Sequence, residues 1–416
     1  MLIPGFRHVP QTGVIFVMQR AAEKGYSPTD IDWVNLGQGA PETGPLEYAP
    51  ERIKTFEIDP LAHEYSPVVG DLELRKKVAD LYNYLYRAGK KSKYTYENVS
   101  ISGGGRIALT RIAASLGNIN MGHFLPDYTA YEELLSVFKA FVPIPILLDP
   151  IDHYQASLQQ IENEVTGRGL KALLLSNPCN PTGQLIDGDR LDQWVQLARE
   201  HQCSLILDEF YSHYIYTSSA NSETPKMVSA AEFVDDVNKD PVILVDGLTK
   251  NWRYPGWRIS WTIGPKEVIS TIASAGSFLD GGACSLIQES VLDLLEPLHV
   301  IQETAALQAC FLKKRNYTIE RLQAMGILVE AEPNGTFYVW ANLSNLPPSL
   351  RDGFDFFEAG LNEKVITVPG VFFDVNPEKR RVSARFRNYC RISFGPEMSA
   401  VERGLDGLER LIQSHS

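Results

Sequence analysis

Three apolar runs, Ala172-Leu-Leu-Leu175, Ser204-Leu-Ile-Leu207 and Val242-Ile-Leu-Val245, each stop at a polar or glycine-containing turn. Runs this short and this continuously apolar suit strands buried on both faces, which requires helices on either side of the sheet they form. Arg258-Ile-Ser-Trp-Thr262 reads as a fourth strand. Between them, residues 189–201 (DRLDQWVQLAREH) place Leu191, Trp194, Val195 and Ala198 on one side of a helix, as a sheet-covering helix requires. The alternation predicts an α/β fold with a mostly parallel sheet flanked by helices.

The pattern changes after Ser285. Residues 285–325 read as a long helical stretch with Pro297 as its internal breaker, followed by strand-like Gly335-Thr-Phe-Tyr-Val-Trp340 and Cys390-Arg-Ile-Ser-Phe394 and a last helix over 399–414. At 416 residues the chain exceeds the ~250–300 residues at which single cores stop growing. We therefore expect a large domain over 51–290, a smaller α+β domain over 291–416, and an N-terminal arm over 1–50 that completes the small domain.

Charge and cysteine usage narrow the partners. Asp and Glu number 51 against 39 Lys and Arg, a formal net charge of −12 that repels nucleic acid and anionic membrane. No run of about 18 apolar residues occurs, and the start lacks a basic head followed by an apolar core, so neither a membrane span nor a secretory leader is expected. The five cysteines are widely spaced with no C-x-x-C pair, which favours a reducing cytoplasm over a disulfide framework or a zinc site.

In an open parallel sheet, ligands bind beyond the carboxyl ends of the strands. The segments at such positions are Ser102-Gly-Gly-Gly-Arg106, Ser176-Asn-Pro-Cys-Asn-Pro-Thr-Gly183, Asp208-Glu-Phe-Tyr211 and Asp246-Gly-Leu-Thr-Lys250. Asp208 ends a buried strand, where a carboxylate needs a cation or strong donors; a protonated pyridine nitrogen is one such partner, a helix cap or an ion pair the plainer one. The glycine triplet before a helix either offers amides to a phosphate or makes a tight turn. Lys250, an ordinary surface lysine if taken alone, is followed eight positions on by Arg258, which could neutralise a phosphate and lower the amine's pKa for imine formation. Arg391 either grips a carboxylate with its fork or joins a surface ion pair. The histidines show no metal-ligand spacing, and no G-x-S-x-G elbow is present.

Taken together, NPCNPTG, DEFY, TKNWRYPGWR and RISFG stand in the order and approximate spacing of the fold-type I pyridoxal-phosphate enzymes, and the chain resembles their class I/II aminotransferase family from Asn35-Leu-Gly-Gln-Gly-Ala-Pro41 to Gly395. The resemblance implies pyridoxal 5′-phosphate as cofactor, held as an imine by Lys250, which also shuttles the proton. It implies that Asp208 pairs with the pyridinium nitrogen, that Asn180 and Tyr211 bond the phenolic oxygen, and that Tyr128 stacks on the ring. Gly104, Gly105, Arg106, Thr249 and Arg258 would bind the phosphate. Tyr65 would reach the neighbouring subunit's phosphate, implying a homodimer with shared active sites. Gly39, Asn180 and Arg391 would bind the substrate. Two positions depart from the family pattern: Gly247 replaces the usual Ser or Thr three residues before the lysine, and Arg106 replaces a neutral or aromatic residue.

The implied reaction is transamination from an L-amino acid, neutral or aromatic, to a 2-oxo acid such as 2-oxoglutarate or pyruvate. Tyr48, Tyr128, Trp252 and Phe337 are candidates for an apolar side-chain pocket, with core packing as the alternative. The same carbanion also serves β-elimination, decarboxylation and oxidation, so a lyase, decarboxylase or oxidase on a specialised amino acid is the alternative enzyme. A non-catalytic cofactor sensor is the alternative outside catalysis; it would normally carry a DNA-binding domain, for which this chain lacks both length and a basic helix.

Overall fold

The computed structural model describes residues 4–6, 9, 11, 13–217 and 224–415; the remaining positions of the expected N-terminal arm lie outside the described residues. The strands in chain order are β1 (Val34–Asn35), β2 (Val99–Ser102), β3 (Asn120–Leu125), β4 (Val142–Leu147), β5 (Leu170–Ser176), β6 (Ser204–Asp208), β7 (Val242–Gly247), β8 (Ser260–Ile263), β9 (Tyr338–Asn342), β10 (Val365–Ile366), β11 (Val368–Pro369) and β12 (Tyr389–Ser393). Seven of them form one sheet in the order β2-β8-β7-β6-β5-β3-β4. All neighbours in it are parallel except β8, which runs antiparallel to both β7 and β2. A second sheet, β11-β12-β9, is antiparallel, and β1 pairs with β10. The α/β expectation, a mostly parallel sheet with a smaller antiparallel one beside it, is borne out.

The apolar runs become β5, β6 and β7, whose residues are almost all buried. Helix Gly188–Glu200 buries Leu191, Trp194, Val195 and Ala198 as their spacing requires. Pro297 does break the helical stretch: a short helix, Ser285–Ser290, and a 3-10 turn precede it, and a 28-residue helix, Pro297–Ala324, begins on it, where a missing N–H costs nothing. Two expected boundaries need correction. The strand assigned from Arg258 begins at Ser260, because Arg258 has a left-handed backbone (φ +55°) that no strand accommodates. The strand assigned from Gly335 begins at Tyr338, because Thr336 is left-handed too (φ +64°). Strands β3 and β4 were not foreseen: Gly122 and His123 interrupt one and Pro143 and Pro145 the other, a pattern that only an edge position such as that of β4 tolerates.

Helix Gly13–Glu23 lies against the C-terminal elements through Phe16, whose ring meets Phe354 at 5.8 Å and Phe372 at 5.5 Å. Helix Pro297–Ala324 is fastened to the loop after β7 by a buried ion pair, Arg253 Nε to Glu303 Oε1 at 2.8 Å. Arg253 Nη1 also donates to Gly44 O at 2.7 Å and Glu42 O at 3.1 Å, and Arg52 shares Glu303 at 3.7 Å. Among the described residues, no helix is long and apolar enough to cross a membrane.

Removing Glu303 would leave the buried Arg253 and the half-buried Arg52 without their carboxylate. Glu303→Ala is expected to destabilise the protein by about 3–5 kcal/mol in denaturant unfolding. A loss within the ~0.5 kcal/mol typical of surface positions would show that this ion pair does not hold the loop.

Candidate active site

The carboxyl ends of β2, β3, β5, β6 and β7 lie at one edge of the sheet, and β8, being antiparallel, starts at that edge. A cavity of about 630 Å³ opens there. Eleven of the thirteen residues singled out from the sequence line it: Gly39, Gly105, Arg106, Tyr128, Asn180, Asp208, Tyr211, Thr249, Lys250, Arg258 and Arg391. Gly104 is not among the lining residues but adjoins two of them, preceding Gly105 and packing against Arg258. Tyr65 does not join them; it is 99% exposed on the surface.

Lys250 Nζ donates to Gly39 O. Burial above all, together with the charges of Arg391, Arg258 and Arg106, lowers its pKa to about 7 against the opposing charge of Asp208. A large fraction of the amine is therefore neutral, hence nucleophilic, near neutral pH. Asp208, 5% exposed, accepts from Tyr131 Oη at 3.0 Å and from the Phe210 amide at 3.4 Å. Burial still raises its pKa to about 6, so an additional cationic partner would be strongly bound.

Arg391 is buried in β12 and donates from Nη1 to Asn180 Oδ1 at 2.9 Å and from Nη2 to Gly37 O at 2.7 Å. Its guanidinium carbon lies 4.1 Å from the Tyr338 ring centroid and 5.0 Å from that of Phe373. Its Nε is buried with no hydrogen-bond partner among the described residues, a free donor of the kind a carboxylate would satisfy. Asn180 is fixed in turn by its own amide, which donates to Ser176 Oγ at 3.0 Å.

At the other end of the cavity, Gly104 begins helix Gly105–Ser115 with φ +99°. The guanidinium of Arg258 packs where a side chain on Gly104 would stand, so only glycine lets this cation approach the helix start. Ile107 N and Ala108 N donate to Gly104 O, which leaves the Gly105 and Arg106 amides without a partner in the helix; with the Arg258 guanidinium they make a cradle suited to a dianionic phosphate. Gly247 also has a physical cause. A Cβ there would come within 2.5 Å of Ile259 O and of the Ser260 backbone on the paired strand, so no hydroxyl-bearing residue fits.

Several site residues escaped the sequence reading. Tyr338 lines the cavity and lies 2.7 Å, oxygen to oxygen, from the Tyr211 hydroxyl. Tyr131 supports Asp208. Asp127 joins two loops by accepting from the Tyr128 amide at 2.7 Å and from Ser176 Oγ at 2.5 Å. An aromatic at the start of a strand or the second tyrosine of PDYTAY gave no signal of its own, since both suit core packing equally well. Of the four aromatics considered for a side-chain pocket, only Tyr128 lines the cavity. Tyr48 is 82% exposed, whereas Trp252 and Phe337 are core residues, the first donating Nε1 to Leu294 O at 2.8 Å and the second packed on Tyr214 and Phe311.

Residues 31–408 match the family model for aminotransferases of class I and II. A probable aspartate/prephenate aminotransferase of Aquifex aeolicus is 26% identical over 389 residues, covering 92% of this chain and 90% of that protein. Aromatic-amino-acid aminotransferase 2 of Thermococcus litoralis is 24% identical over 393 residues, covering 91% and 92%. Among solved structures, a single mutant of Thermus thermophilus aspartate aminotransferase superposes with a TM-score of 0.78 at 22% identity, covering 98% of this chain and 100% of that one. The phosphate cradle at Gly104, the buried Asp208 and the neutralised Lys250 fit the family's cofactor. The chain belongs to the class I and II aminotransferases, enzymes that use pyridoxal 5′-phosphate to transfer amino groups.

Proposed function

We propose that this aminotransferase moves the amino group of a neutral or aromatic L-amino acid to a 2-oxo acid, with Lys250 as the residue that carries the cofactor covalently and transfers the proton. The observation behind this reading is a lysine amine at about 7 in the same cavity as a buried arginine with an unpartnered Nε. When bound, pyridoxal phosphate supplies an electron-withdrawing pyridinium ring that makes the substrate's α-proton removable. Asp208 would hold the positive charge on the ring nitrogen, Asn180 and Tyr211 would bond the phenolic oxygen, and Tyr128 would cover the ring face. The helix start at Gly104 and Gly105 with the Arg106 amide, together with Thr249 and Arg258, would hold the phosphate. Arg391 and Asn180 grip the α-carboxylate beside Gly39, which leaves the α-hydrogen to the Lys250 amine as general base.

The side-chain preference rests on Val14, Ile15 and Leu109, apolar residues of the cavity wall, and is in keeping with the relative from Thermococcus litoralis named for aromatic amino acids. The Arg106 side chain, which lines the cavity and donates from Nε to Tyr128 Oη at 3.4 Å, suits the distal carboxylate of 2-oxoglutarate as acceptor, its backbone amide being the part that faces the phosphate; pyruvate needs no such partner. A homodimer with shared sites rests on the exposure of Leu61 and Tyr65, apolar and aromatic surface that a second copy would cover. The division into an arm over 1–50, a large domain over 51–290 and a small domain over 291–416 follows the change from the parallel to the antiparallel sheet. Five free cysteines suit a reducing cytoplasm.

Two measurements test the reading. Purified wild type should show a visible cofactor band that bleaches with neutral or aromatic L-amino acids and returns with 2-oxoglutarate or pyruvate. Lys250→Ala should lose the covalent band and slow turnover by roughly 10⁴-fold. Inert aromatic and aliphatic donors would remove the substrate preference, and release of ammonia without an acceptor would replace transfer by elimination. The second measurement is the rate at which the cofactor-free protein recombines with pyridoxal phosphate. Only the neutral amine attacks, so the rate should rise with pH, bend near 7 and stay flat above about 8. A rate still climbing at pH 9 would mean an unperturbed lysine.

A further inference from the structure

Tyr338 stands where two groups with different duties meet. Its oxygen is 2.7 Å from that of Tyr211. Its ring lies beneath the Arg391 guanidinium at 4.1 Å. A Cβ on Gly39 would be 3.0 Å from the Tyr338 hydroxyl and 4.0 Å from Lys250 Nζ, so the hydroxyl and the amine both flank Gly39. The residue has no solvent-exposed surface outside the site it lines.

Each tyrosine has one proton to donate and lone pairs with which to accept. The phenolic oxygen of the cofactor only accepts in its ionised form, so a Tyr211 that donates to it has no proton left for the 2.7 Å contact. Tyr338 must then be the donor in that contact. A hydroxyl that receives a hydrogen bond becomes a better donor itself. The ring, meanwhile, holds the guanidinium by a cation–π contact in a desolvated place, where such contacts are strongest.

We propose that Tyr338 is a positioning residue that links the two halves of the site: its ring seats Arg391 for the substrate carboxylate, and its hydroxyl orients and strengthens Tyr211 as a donor to the cofactor. This rests on the roles proposed above for Arg391 and Tyr211. A stronger donor favours negative charge on the phenolic oxygen, so losing the Tyr338 hydroxyl raises the pH at which the holoenzyme's visible band changes.

The test compares wild-type holoenzyme with Tyr338→Phe, Tyr211→Phe, the double variant and Tyr338→Leu, reading the pH midpoint of the visible band and the KM of an accepted amino acid. Tyr338→Phe should raise the midpoint by about half to one unit, a three- to tenfold change in proton affinity, and leave KM within about twofold. In a Tyr211→Phe background the same change should add nothing. Tyr338→Leu, which removes the ring, should raise KM roughly three- to thirtyfold. A Tyr338→Phe midpoint equal to wild type, or a shift that persists without the Tyr211 hydroxyl, overturns the link while leaving Tyr211 in place. An unchanged KM in a folded Tyr338→Leu protein overturns the seating of Arg391. If Tyr211→Phe itself leaves the midpoint unmoved, the role of Tyr211 fails and the link falls with it. Tyr338→Phe differs by one atom, so its result stands even if the leucine variant does not fold.

Discussion

The ion pair between Arg253 and Glu303 is buried where an unpaired charge would be intolerable, and for that reason it fixes more than itself. Arg253 lies three residues after Lys250, Glu303 lies on helix Pro297–Ala324, and Arg253 Nη1 reaches the carbonyls of Glu42 and Gly44. Three distant stretches of chain are thereby held at one point. The stretch over 37–44 brings Gly39 O to the Lys250 amine and Gly37 O to Arg391. Arg52 reinforces the anchor by donating to Trp252 O at 2.9 Å and to Arg253 O at 2.7 Å.

The electrostatic character of the cavity follows from how few anions balance its cations. Arg391, Arg258 and Arg106 face Lys250, with Asp208 as the opposing charge. Burial first, and then this excess of positive charge, drives the lysine toward its neutral form, and the same excess makes the site receptive to anions. A phosphate and a carboxylate are the anions that the geometry suits, one at a helix start and the other at a guanidinium with a free Nε. The Lys250 amine lies in the same cavity as both.

Much of this was legible in the sequence because strand ends and ligand sites coincide in a parallel sheet. Once Ser204–Leu207 reads as a buried strand, Asp208 can only lie at its carboxyl end, and the same holds for Lys250 beyond Val242–Val245. The motif order then identified the family and with it the cofactor. Residues that act through side-chain contact were hidden. Tyr338 and Tyr131 sit in apolar surroundings that packing alone would explain, and only their oxygen contacts with Tyr211 and Asp208 distinguish them from core tyrosines. Arg258 was recognised as a cation near the lysine, but not that a left-handed backbone takes it out of the strand and lays it against Gly104.

The sequence by itself determined the α/β alternation, the family and the residues at the strand ends, because all of these follow from periodicity and from motifs local in the chain. Tertiary structure alone decided that residue 247 has no room for a hydroxyl, that Trp252 and Phe337 belong to the core rather than the cavity, and that Tyr338 joins Arg391 to Tyr211. Those outcomes depend on distances between segments up to 127 residues apart, set by how the two sheets and helix Pro297–Ala324 pack, and no local pattern encodes such distances.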